Sequence, residues 1–198
     1  MGLNYPSCII EKVHENHHNV FQFDEVVCHL LSLVSNVHID LIRKTKIYPR
    51  SAFRFIPWYK AEKGGGAITF GSRSWHSMTF TENFFSQDSS KFINAAYGNE
   101  ALVWLKLCAH EVVHIAHAQK FGSFIYYLFQ FAYQYLIFGH DKSPLELEAD
   151  ISSKKFNQFQ QTIDMNYGQN ALINLIKSDS KAQEKKDKID LWWNLYMV

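Results

Sequence analysis

The stretch CAHEVVHIAH at residues 108–117 puts three histidines and a glutamate among apolar neighbours. On a helix, residues i and i+4 lie one turn apart on the same face, so the imidazoles of His110 and His114 can converge on one metal ion. Glu111 sits about 100° round the helix from His110, awkward as a ligand but well placed to hold a metal-bound water. With ten histidines in the chain, HExxH arises by chance in about one such sequence in forty. The surroundings lower that chance further. Trp104, Leu105, Cys108, Val112, Ile115 and Ala116 share the opposite face, so the pattern predicts a helix with an apolar back and a histidine-bearing front.

Two residues compete to be the third ligand. His117 continues the stripe at i+7, but it lies about 10.5 Å along the axis from His110. Zinc bonds are about 2.1 Å long, so an ion held by His110 and His114 is out of its reach, and His117 is read as an outer partner of the site or an exposed residue. Lys120 stands where a histidine ten positions after His110 would have to be. The better candidate is in SPLELEAD (143–150). Ser143 as N-cap and Pro144 at the first helical position predict a helix start there. Glu146 and Asp150, at i and i+4, then project together. Glu146 completes a His2Glu zinc site with one position open, and Asp150 can hold the outer nitrogen of a ligand histidine. Glu148 points about 200° away from Glu146, so both cannot be ligands.

The remaining sequence frames this site. A chain of 198 residues with 47% hydrophobic and 20% charged residues fits one globular domain. A net charge of +1 offers nothing to nucleic acid. Cys8, Cys28 and Cys108 show no CxxC spacing, which argues against a disulfide framework and for synthesis in a reducing compartment. The N-terminus lacks a secretory signal pattern, so cytoplasmic synthesis is expected, with any export by another route.

Apolar periodicity predicts a helix over 23–44. The run 64–80 reads as a glycine turn followed by two short strands, and not as a phosphate cradle, because no Gly-Lys-Ser/Thr follows. A long helix is expected from Asn94 to about Lys120, weakened at Gly98. The aromatic stretch 121–138 is read as a core or lid helix before an interfacial one, and a membrane span is least favoured because Ser123, Gln130 and Gln134 interrupt it. The charge-rich run 178–188 reads as a solvated face or linker, followed by an apolar tail that docks on the body. HENHH (14–18) reads as a loose exposed cluster. Strands in one block followed by helices predict an α+β fold, mainly helical, with a small sheet or hairpin before the active-site helix.

HEVVH followed by LELEAD resembles the gluzincin clan of zinc metallopeptidases, HExxH on one helix and ExxxD on a later one. The stretch 64–152 is similar to small bacterial gluzincin domains, some associated with contractile injection systems or toxins. The resemblance implies a zincin-like fold and a zinc-dependent endopeptidase acting on a protein or peptide. It also implies secretion or injection machinery as a partner. In such families the two helix histidines and the later glutamate bind Zn2+ and the HExxH glutamate is catalytic, which carries over to His110, His114, Glu146 and Glu111. An edge strand beside the active-site helix would carry the substrate, here 67–70 or 76–80. His76, Tyr133, Tyr135 and His140 stay open as the second oxyanion donor. The alternative to an enzyme is a non-catalytic module, a binding or delivered protein, that zinc stabilises.

Overall fold

A computed structural model describes residues 7–13, 20–48, 66–80 and 100–197. Gly64, Gly98, the 94–99 part of the long helix and the HENHH cluster lie outside them. The architecture is mixed α+β, dominated by helices. A five-stranded sheet comprises β1 (Ile10–Val13), β2 (Val20–Phe23), β3 (Lys46–Tyr48), β4 (Ala67–Gly71) and β5 (His76–Phe80), in the order β1-β2-β3-β5-β4. All neighbours are antiparallel except β3 and β5, which run parallel. The hairpin expected at 64–80 is thus the end of a larger sheet. β5 is paired on both sides, so 76–80 has no edge to offer, whereas β4 is an edge strand.

The helices are α1 (Glu25–Ser35), α2 (Ile39–Lys44), α3 (Glu100–Phe121), α4 (Phe124–Phe138), α5 (Pro144–Tyr167), α6 (Ala171–Lys177) and α7 (Ala182–Met197). The helix expected over 23–44 is broken in two. Asn36 takes a left-handed conformation at φ 59°, which its short polar side chain tolerates. Ser32 Oγ donates to the Val37 carbonyl at 2.7 Å, and His38 Nδ1 accepts from the Asp40 N–H to start α2. A bidentate ion pair from Arg43 to Glu25 ties the two pieces together, with Lys186 of α7 on the same carboxylate. The charge-rich run is a solvated face and not a linker: from Ala182 it is the largely exposed first half of α7, which continues into the apolar tail that docks through Ile189 and Trp192.

The core runs from the inner residues of β1–β3 through α1 to α3, α5 and α7, with Phe21, Leu30, Leu105, Phe156 and Phe159 fully buried in it. α3 packs against β4 on one side and α5 on the other. The approach to β4 is close at Gly71, where a Cβ would lie 2.8 Å from the Trp75 carbonyl and 3.3 Å from Ala118 Cβ. Gly122, at φ 73°, ends α3 and turns the chain into α4.

α4 lies against α3, α5 and β4 through Tyr127, Phe131 and Gln134. Its other face is apolar and open, with Ile125, Phe129 and Leu136 between 60% and 83% exposed. Among the described residues no helix is long and apolar enough to cross a membrane.

Candidate metal centre

α3 presents its histidines toward α5 because the apolar back is spent on the core: Trp104, Leu105, Cys108, Val112 and Ile115 are all buried there, with Ala116 partly so. α5 starts where the N-cap and proline pattern places it. Ser143 Oγ accepts from the Glu146 N–H at 3.3 Å, and Pro144 is the first helical residue. That cap sets Glu146 in the first turn, facing α3. Donor groups of three residues thereby meet from two helices. His110 Nε2 is 3.1 Å from Glu146 Oε2, His114 Nε2 is 3.3 Å from His110 Nε2, and His114 Nε2 is 3.6 Å from Glu146 Oε1. The group could hold a metal ion.

The donor chemistry fits one. Two imidazole nitrogens 3.3 Å apart and the carboxylate beside them converge on one point from two helices, and nitrogen and carboxylate donors are those that a zinc ion takes. Bonds of about 2.1 Å to a tetrahedral ion imply donor separations of about 3.4 Å, close to the 3.3 Å between the two imidazole nitrogens. Among the described residues the group has three members, so no cysteine or further histidine closes it.

The outer nitrogens are also engaged. His110 Nδ1 lies 3.1 Å from Asp150 Oδ1. Lending Nε2 to a metal puts the imidazole proton on Nδ1, so Asp150 accepts it and fixes the ring. His114 Nδ1 lies 3.2 Å from His117 Nδ1. His117 is therefore neither a ligand nor exposed: it is 2% exposed, and its Nε2 is 3.1 Å from Glu148 Oε2 on α5. That last approach is out of line with the ring N–H and makes no aligned hydrogen bond.

Glu111 stands apart from the donor set. It is buried, and Thr69 Oγ1 of β4 donates to its Oε2 at 2.7 Å. Burial raises its pKa above the usual carboxylate range, against the lowering influence of His110 and Thr69. Burial also holds His114 well below the ordinary histidine value, helped by the charges of His110, His117 and His140, so it is neutral and ready to ligate. For His110, burial opposes the charge. The Glu146 hydrogen bond and the charges of Glu111, Glu146 and Asp150 outweigh it and lift the pKa to about 9. In the metal-free protein at pH 7, His110 thus carries a proton that a metal must displace. Metal affinity is expected to rise roughly tenfold per pH unit up to about pH 9 and then level off, with one proton released per ion at pH 7. Calorimetry in buffers of different ionisation enthalpy checks this; an affinity flat between pH 6 and 8 would refute it.

Four residues were open as the second oxyanion donor. His140, at the start of the α4–α5 turn, has Nε2 3.8 Å from Glu146 Oε2 and a half-exposed ring. His76 is buried with Nε2 against Gln119, Tyr133 stacks on Phe129, and Tyr135 packs edge-on against the His140 ring. Thr69 is a site residue whose contact with Glu111 sequence patterns did not foresee, and Glu148, set aside as a ligand by its position on the helix, meets His117 instead. No spacing rule relates Thr69 to Glu111, because β4 reaches α3 from 42 residues away in sequence.

Comparison of the chain with protein-family models, with curated proteins and with solved structures returns no match.

Proposed function

We propose that this chain is a zinc-dependent endopeptidase of the gluzincin type, with a zincin-like arrangement of β4, α3 and α5. One observation carries the proposal. A three-donor group with no fourth protein ligand among the described residues adjoins a buried carboxylate that is not itself a donor. A structural zinc site is usually closed by four protein ligands and has no use for a base beside it. Zinc bound there would supply an acidified water and polarise the scissile carbonyl. Glu111 accepts the proton of the attacking water and passes it to the leaving amine. Its raised pKa suits a group that must take a proton and then return it. Thr69 holds Oε2 of Glu111, which assigns the proton transfers to Oε1. His140 is the assigned donor to the developing oxyanion, and the Nδ1 contact with Asp141 orients its ring.

The substrate lies along β4. The Ser72 N–H to Trp75 carbonyl bond closes the hairpin, so Ile68 and Phe70 pair with β5 while Ala67, Thr69 and Gly71 present their backbone groups outward. In the absence of substrate the Thr69 carbonyl accepts from Tyr127 Oη at 3.2 Å. An extended peptide pairing there takes the place of that contact.

The second reading is a non-catalytic module held together by zinc. Burial favours it: the side chains of His110, His114 and Glu146 are only 17%, 5% and 6% exposed. Chelation separates the two. The endopeptidase reading expects about one zinc per chain, and cleavage of an unfolded protein that stops on chelation and returns with zinc while the circular dichroism spectrum is retained. Zinc without any cleavage, together with unfolding on chelation, would sink it in favour of the module.

A further inference from the structure

His117 is a polar ring in a place where leucine would pack at less cost. It is 2% exposed, its Nε2 has no aligned hydrogen-bond partner, and its Nδ1 is directed at one atom, Nδ1 of His114. A histidine buried for packing alone would leave a cost of that kind unexplained, because buried polar atoms are as a rule fully paired. The requirement comes from His114. To present the Nε2 lone pair to a metal, His114 must carry its proton on Nδ1, and a buried N–H needs an acceptor. The ring of His117 supplies one at 3.2 Å.

The two ligand histidines are therefore backed differently. A carboxylate, Asp150, accepts from His110. For His114 the acceptor is an imidazole, with Glu148 on its far side at 3.1 Å and 61% exposed.

We infer that His117 is a positioning residue for the metal centre. It accepts the Nδ1 proton of His114 and locks that ring in its Nε2-ligating tautomer, while the negative charge of Glu148, 3.1 Å from Nε2 on the far side of the ring, favours a proton there over one on Nδ1. Donation then runs one way, from His114 Nδ1–H to His117 Nδ1. This inference rests on the metal-centre reading and is independent of whether the centre cleaves peptides.

The test is zinc affinity by competition with a chromophoric chelator, on the full chain. His117→Leu fills similar space without an acceptor and is expected to bind zinc about 10- to 100-fold more weakly. His117→Asn places Oδ1 near the position of the lost Nδ1 and is expected to stay within about threefold of the parent. Cobalt(II) supplies a second readout: its visible spectrum should shift in the leucine variant and return in the asparagine one. A leucine variant with parental affinity overturns the inference, as does an asparagine variant that loses as much as leucine does. Nitrogen NMR of the zinc-loaded parent needs no variant at all, and a proton found on Nδ1 of His117 would also overturn it. A parent that binds no zinc removes the metal-centre reading and this inference with it. A parent that binds zinc beside an unaffected leucine variant removes this inference alone.

Discussion

Glu111→Gln is expected to abolish peptide hydrolysis, by about a hundred- to ten-thousand-fold, while the protein keeps one zinc per chain. The argument is one of atoms. Glutamine has the shape of glutamate and can still meet the Thr69 hydroxyl that holds Oε2 at 2.7 Å, but its amide cannot take a proton from water near neutral pH. Glu111 is outside the three-donor group, so metal content should be unchanged. The substitution also replaces a buried carboxyl whose burial disfavours its charge, so thermal stability should hold or rise slightly. Metal analysis, a melting curve and cleavage of an unfolded protein decide it together. A variant that cleaves as fast as the parent would remove Glu111 from the mechanism, and a variant that loses its zinc would make it a ligand.

Glu146→Ala carries the second large effect, on metal and not on chemistry. Without Glu146 the site reduces to His110 and His114 on a single helix. Zinc affinity should fall by well over the roughly 10- to 100-fold that loss of an outer hydrogen-bond partner costs. The loss should also be visible as stability. An ion that binds only the folded chain adds about 2.7 kcal/mol at a hundred times its dissociation constant, and that gain should vanish in the variant at the same zinc concentration. Because the Glu146 N–H is the group that Ser143 caps, the helix start survives the change of side chain. Competition titration and melting with and without zinc check both halves. Unchanged affinity would show that the third ligand lies elsewhere.

What could be read in advance depended on how local the governing rule was. Rise and rotation per residue are enough to set His110 and His114 on one face, to remove His117 from an ion between them, and to pair Glu146 with Asp150. Ser143-Pro144 announces its own helix start. His117 needed more, because its burial depends on how α4 and α5 close over the front of α3. The front expected to be polar is in fact covered, with Glu111, His114 and His117 all buried. The sheet was half legible. ITF and MTF sit in a recognisable hairpin, but IEKV and VFQF are four residues each, too short for alternation to stand out, and the pairing of VFQF with β3 is a long-range matter. The break at Asn36 and the continuity of α7 through its charged half are cases where capping and docking overrode periodicity.

The contact between Tyr127 and the Thr69 carbonyl also bears on how the sheet ends. β4 is the last strand of its sheet, and an uncovered last strand is a template on which other chains can add and aggregate. The tyrosine hydroxyl occupies a carbonyl of that edge, and the helix that carries it packs alongside the strand. Self-association is expected to be discouraged at the margin where the endopeptidase reading would admit a peptide. A chain with Tyr127→Phe keeps the ring and surrenders the guard.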